Sequence, residues 1–174
     1  MEPADIARFI TEDPDIPNRP MLYMPIGPSG IGKSTFLNKL KRHNPDIEVF
    51  SLDILRHRWY DPKDYAVAWK KSSEDLQFSN KANDEFIRLI QTGKDIYVDN
   101  TNLTPRRRSF YIENAKKFGY VAIAITFPGA DVETLVARQL TRGDKRVPED
   151  AVRGQFNALI PPEEEEFDYT MQAS

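Results

Sequence analysis

Apolar residues along the chain alternate between short continuous runs and longer stretches with helical spacing. Met21 to Ile26 is an apolar run ended by Gly27, which has the length and composition of a buried strand. Residues 47–50, 95–98 and 120–126 repeat the pattern and read as three further strands. Between the first two, Phe36, Leu37 and Leu40 recur at helical spacing, and Asn44-Pro45 ends that helix. Residues 62–91 read as mostly helical, with Leu76, Phe86, Ile87, Leu89 and Ile90 on the apolar face and Gly93 as the C-cap. Thr104-Pro105 is an N-cap followed by proline in the first turn, opening a helix to about Phe118. Asp131 caps another through Leu140, and Pro148 starts a last one to about Leu159. Strands that alternate with helices and are apolar on both faces predict an α/β fold, a parallel sheet of about four strands covered by helices on both faces.

Length and composition narrow this picture. The 174 residues fit one domain, expected over residues 21–160. Residues 1–20 form an N-terminal extension broken by Pro14, Pro17 and Pro20, with a short helix expected at 6–10. Residues 161–174, headed by Glu163–Glu166, read as an acidic tail without regular structure. There are no cysteines, which excludes disulfides and thiolate chemistry. The net charge of −3 excludes a wholly basic nucleic-acid binder, but local clusters at Arg56–Arg58 and Arg106–Arg108 leave room for a basic groove. No apolar run approaches the roughly 20 residues of a membrane span, and no secretory leader is expected from the residues after Met1. A cytoplasmic protein with no membrane partner is expected, its oligomeric state open.

The segment Gly27-Pro28-Ser29-Gly30-Ile31-Gly32-Lys33-Ser34 matches the P-loop pattern in full, with an apolar strand before it and a helix after it. Glycines let consecutive N–H groups curl around a phosphate, and the following helix adds its positive end. Lys33 supplies a mobile charge for the β- and γ-phosphates, the Ser34 hydroxyl a ligand for Mg²⁺, and Thr35 continues the phosphate-facing turn. The expected cofactors are therefore a nucleoside triphosphate and Mg²⁺.

Three further clusters bear on what happens to that triphosphate. Asp53 follows the second strand, where ligands sit in open α/β sheets; a carboxylate there can take a proton from an attacking hydroxyl. Arg56, three residues on, can clamp an acceptor phosphate. By residue type alone, Asp53 equally fits a helix cap and Arg56 a surface cation. The third strand runs into Asp99-Asn100-Thr101-Asn102-Leu103-Thr104-Pro105. Asp99 suits a magnesium site through water, and the polar residues after it suit either substrate contact or a turn. Arg138 and Arg142 are four apart and so share one helix face. With Gly143 to Pro148 they form a lid whose arginines can close over the transferring phosphoryl group, or a solvated basic loop.

Taken together, Gly27–Ser34, Asp53 with Arg56, Asp99-Asn-Thr-Asn-Leu-Thr-Pro with Arg107 or Arg108, and Arg138…Arg142-Gly…Val147-Pro148 resemble the kinase domain of phage-type 5′-hydroxyl polynucleotide kinases, over roughly residues 21–160. The resemblance implies transfer of the γ-phosphoryl group of ATP to the 5′-hydroxyl end of DNA or RNA, as in end repair. Asp53 would be the general base and Arg56 the ligand of the acceptor phosphate. Arg138 and Arg142 would act on the ATP phosphates, and Thr101, Asn102, Arg107 and Arg108 would lie near the acceptor. The Asp-x-Asp-Gly phosphatase motif of some relatives is missing, and Leu52, Ile54 and Leu55 around Asp53 are less polar than in that family. Two alternatives stay open: a P-loop kinase for another hydroxyl (a nucleoside, a nucleotide or a hydroxymethylated base), and a non-catalytic nucleotide-binding module or triphosphate hydrolase.

Overall fold

The computed structural model describes residue 2, residue 5 and residues 18–174. The short helix expected at 6–10 lies outside them. Five strands, β1 (Met21–Pro25), β2 (Glu48–Phe50), β3 (Ile96–Val98), β4 (Val121–Thr126) and β5 (Tyr169–Gln172), form one sheet in the order β2-β3-β1-β4-β5. Every pairing is parallel, with Leu22 opposite both Ile96 and Ala122.

Seven α-helices connect them: α1 (Lys33–His43), α2 (Leu52–Trp59), α3 (Tyr65–Glu74), α4 (Phe78–Ile90), α5 (Pro105–Lys117), α6 (Val132–Gln139) and α7 (Glu149–Ala158). The expected helical stretch at 62–91 is two helices, because Asp75 leaves helical geometry at the end of α3.

Successive side chains of a strand point to opposite faces, and β1 shows the consequence. Leu22 and Met24 pack with Phe86, Ile90 and Ile112, whereas Met21 and Tyr23 pack with Phe36, Leu37 and Leu40 of α1. The step from β1 to β2 runs one way across the sheet, and every later step runs the other way. Right-handed crossovers then put α1 on one face and the helices that follow on the other, which is how the two apolar clusters divide.

The segment expected as an unstructured tail instead completes the sheet. Phe167, Met171 and Ala173 are buried, and β5 pairs with β4 from Ile123–Tyr169 to Thr126–Gln172. The acidic run hides this strand in the sequence, but Glu166 of that run is itself consumed by the fold. Its carboxylate takes two hydrogen bonds from Arg108 (2.8 and 2.7 Å).

Candidate active site

The carboxyl ends of β1, β3 and β4 converge on residues 26–34. The loop is pinned from both sides: Ile26 N–H donates to the Ile125 carbonyl (2.9 Å) and Gly27 N–H to the Thr101 carbonyl (3.0 Å). From below, the buried Tyr97 hydroxyl donates to the carbonyl of Lys33 (3.0 Å). Gly30 and Gly32 sit at φ +89° and +125°, a region L side chains rarely enter. A Cβ on Gly30 would lie 3.0 Å from the Gln139 amide nitrogen, so helix α6 packs directly against the loop.

No side chain caps the N-terminus of α1, whose first N–H groups have no intrahelical acceptors. Ser34 and Thr35 stand exposed in that first turn. The Lys33 ammonium donates to the carbonyls of Gly27 (2.6 Å) and Pro28 (2.9 Å). Burial lowers its pKa from 10.5 to about 8; nearby Asp99 pulls it up and Arg142 pushes it down. Burial likewise raises the Asp99 carboxyl, against the pull of Lys33. Among the described residues, no cluster of three or more His, Asp or Glu is arranged to hold a metal. Uncapped N–H groups, an exposed Ser34 hydroxyl and a carboxylate within electrostatic reach suit a magnesium-bound triphosphate, whose phosphates would supply the remaining oxygen ligands.

Asp53 lies in the first turn of α2, whose cap is the neighbouring Ser51, not Asp53. Its carboxylate is half exposed. Oδ1 accepts from Arg56 Nη1 (2.7 Å) and from the Tyr65 hydroxyl (3.2 Å), leaving Oδ2 for a proton. Burial and the Asp53 charge push the Tyr65 hydroxyl up to about 12, so it remains a donor. Arg56 does not stand free for a phosphate as expected. It also donates to the Ser72 hydroxyl (3.2 Å), and its guanidinium lies over Trp69 (4.2 Å) and Phe78 (5.1 Å). Beside them, Asn100 accepts from Leu52 N–H (3.1 Å), while its Nδ2 is buried without a partner among the described residues. Exchanging the two ends of the amide would cost the Leu52 bond.

Two residues expected at the acceptor are scaffold instead. Asn102 is buried at φ +50°, and its amide donates to the carbonyls of Pro25, Val98 and Asn100, tying the ends of β1 and β3 together. Arg108 is wholly buried and holds Glu166 and the carbonyls of Asn102, Ile160 and Pro161. Thr101 supports the loop through its carbonyl. Arg107 is exposed in the first turn of α5, together with Arg106.

The lid residues divide. Arg138 donates to the Gly30 carbonyl (2.7 Å). Helix α6 ends at Gln139, so Arg142 does not share a helix face with Arg138. It is placed instead by a hydrogen bond to Gln139 Oε1 (3.1 Å), which also accepts from Val147 N–H (3.2 Å). Gln155 of α7 accepts from Ser29 N–H (2.9 Å). Tyr65, Gln139 and Gln155 carry no signal in the sequence, being ordinary helix residues whose partners lie far along the chain. A groove of about 440 Å³ opens beside the loop, bordered by Thr35, Lys39, Phe127, Gly129, Arg138 and Ala173.

Residues 22–161 match the family described as AAA domain, and the chain belongs to that family. No curated protein matches it significantly. Its structure is similar to a gluconokinase from Sinorhizobium meliloti 1021 (18% identity, 88% of this chain and 81% of that one, TM-score 0.57). It is similar also to a fungal RNA kinase (15%, 90% and 74%, 0.59) and to the Deinococcus radiodurans tunicamycin resistance protein (16%, 88% and 86%, 0.54). At such identities the likeness is one of fold, and the fold is that of P-loop kinases.

Proposed function

We propose that this AAA-domain protein is an ATP-dependent kinase that transfers the γ-phosphoryl group to the 5′-hydroxyl end of DNA or RNA. The observation that carries the reading is Asp53: a half-exposed carboxylate with one oxygen tied by Arg56 and Tyr65 and the other left for a proton, within electrostatic range of Asp99. A module that only binds nucleotide has no need of a carboxylate held in this way, and a hydrolase has no need of a second, furnished side.

The adenosine part of ATP would lie in the groove beside Thr35 and Arg138, and the phosphates on the N–H groups of residues 30–35. When bound, Mg²⁺ would neutralise phosphate charge, held by Ser34 directly and by Asp99 through water. Asp53 takes the proton of the acceptor hydroxyl as its oxygen bonds to the γ-phosphorus; the bond to the bridging oxygen breaks and ADP leaves. Lys33 and Arg142 balance charge on the phosphoryl oxygens. Arg107, exposed beside Arg106, is a cation available for the phosphate following the acceptor nucleotide.

The commitment of Arg56 to Asp53, Ser72 and two rings favours a second reading, a small hydroxyl compound as acceptor, because it removes one expected phosphate ligand. The test is transfer of labelled γ-phosphate to a 5′-hydroxyl oligonucleotide, to the same strand already 5′-phosphorylated, to hydroxymethyl-base DNA, and to nucleosides and sugars. Label is expected on the 5′-hydroxyl strand alone, reduced about 10²- to 10⁴-fold in Asp53→Ala while ATP still binds. Label on sugars or nucleosides instead would establish the second reading, and full transfer by Asp53→Ala would remove the base.

A further inference from the structure

Trp69 is half exposed beside the candidate active site. It lies one helical turn beyond Tyr65 on α3, with ring centroids 6.4 Å apart, and His57 adds a third ring 5.8 Å from Tyr65. One face of the indole is covered by the Arg56 guanidinium at 4.2 Å, and that guanidinium holds Asp53 at 2.7 Å. Two direct contacts therefore separate the proton-accepting carboxylate from the ring.

We propose that the outer face of Trp69 is a stacking subsite for the heteroaromatic ring of the acceptor, the first base at the 5′ end. This rests on the kinase reading above and names what its acceptor must carry. A flat, half-exposed indole held from behind by a cation offers a π-face to any base, which gives affinity without sequence preference. The same guanidinium couples the subsite to the chemistry. A ring seated on Trp69 bears on the side chain that fixes Asp53 Oδ1, so seating and proton acceptance share one support. A sugar subsite would need several directed hydrogen bonds, whereas the groups grouped here are rings and a guanidinium already in use.

Two measurements test it. In transfer assays, Trp69→Ala should raise KM for a 5′-hydroxyl oligonucleotide about 5- to 150-fold, the factor for one base on one aromatic ring, with KM for ATP unchanged. Trp69→Phe should recover most of the loss. An oligonucleotide whose first residue is abasic should lose the same factor with the wild-type protein and nothing further with Trp69→Ala. Independently of turnover, a 5′-hydroxyl dinucleotide should quench the tryptophan fluorescence of the wild type and of Asp53→Ala. It should not quench Trp69→Phe, which retains Trp59. An abasic end used as well as the parent, no quenching, or quenching by a sugar in place of the dinucleotide overturns the stacking subsite. Quenching by the dinucleotide with no transfer to any oligonucleotide overturns the 5′-hydroxyl reading while the subsite stands.

Discussion

The two halves of the candidate site are built from different material. The donor half is made by consecutive residues and held through its own main-chain atoms: Ile26 and Gly27 N–H donate to carbonyls of the flanking segments, and the Tyr97 hydroxyl donates to the carbonyl of Lys33. The acceptor half joins side chain to side chain across separate segments, Asp53 and Arg56 from α2, Tyr65, Trp69 and Ser72 from α3. A cradle of backbone N–H groups keeps its geometry through most side-chain changes, provided its glycines remain. A cluster of side chains does not, since each member is a partner of the next. The donor half therefore states a chemistry shared by all P-loop proteins, and on the proposed kinase reading the acceptor half is where a substrate would be chosen.

The largest effect is expected outside both halves, in the scaffold that carries them. Arg108 makes five hydrogen bonds from a fully buried position, two to Glu166 and three to carbonyls. Removing one member of a buried ion pair costs about 3–5 kcal/mol, so Arg108→Ala should lower the melting temperature by roughly 10 °C. Arg108→Lys should not rescue it, because one ammonium cannot reproduce a planar five-donor fork. Burial pushes the Glu166 carboxyl up, but the bonds from Arg108 and the Glu163 N–H outweigh this and hold it below its ordinary range. Its stabilisation is therefore present above the ordinary carboxylate range and lost as pH falls through the lowered value. An Arg108→Ala protein that melts like the wild type, yet binds acceptor poorly, would return Arg108 to the substrate site.

Next in size is the lid. Arg142→Ala should lower kcat about 10²- to 10³-fold, the usual cost of one donor aimed at transition-state charge, and should leave KM for the acceptor unchanged. Gln139→Ala should reproduce part of that loss, because Gln139 Oε1 holds both Arg142 and Val147 N–H. Arg138→Ala should act mainly on KM for ATP, as its guanidinium rests on the Gly30 carbonyl beside the groove. Equal effects of Arg138→Ala and Arg142→Ala on kcat would erase this division of labour.

How much of this was readable in the chain follows from the same contrast. The parallel α/β sheet and the P-loop come from local patterns, apolar runs and a spaced glycine motif, and the structure has both. Asp53 is legible as a candidate because strand ends are where ligands sit. What surrounds it is not, since Tyr65 and Trp69 meet Arg56 and Asp53 only through the packing of α2 on α3. Strand β5 escaped notice because Glu163–Glu166 read as solvated charge, and the partner of Glu166 lies 58 residues away. Asn102 and Arg108 mislead in the other direction. Polar residues just after a strand suggest substrate contact, yet their hydrogen bonds go to the carbonyls that close the β1 and β3 ends, to the 160–161 segment and to Glu166.

The smallest effect tests the donor half without touching its backbone. Lys33 falls from 10.5 to about 8, chiefly through burial. Between these values the folded protein holds fewer protons than the unfolded chain. The penalty of burying the cation is therefore full below about pH 8 and relieved as pH rises toward 10.5, so this residue makes stability increase with pH across that window. Nucleotide binding has the opposite sign, because a triphosphate needs the ammonium. Affinity for ATP should be flat below about pH 8 and fall above it by at most about tenfold per unit, the limit for one proton taken up on binding. Lys33→Met should bind ATP more weakly with no such slope, as measured by calorimetry from pH 7 to 9.5 with magnesium in excess. A wild-type affinity that stays level through this range would mean that Lys33 keeps its proton without the phosphates. The charge that the donor half offers would then be fixed in advance by the neighbouring Asp99.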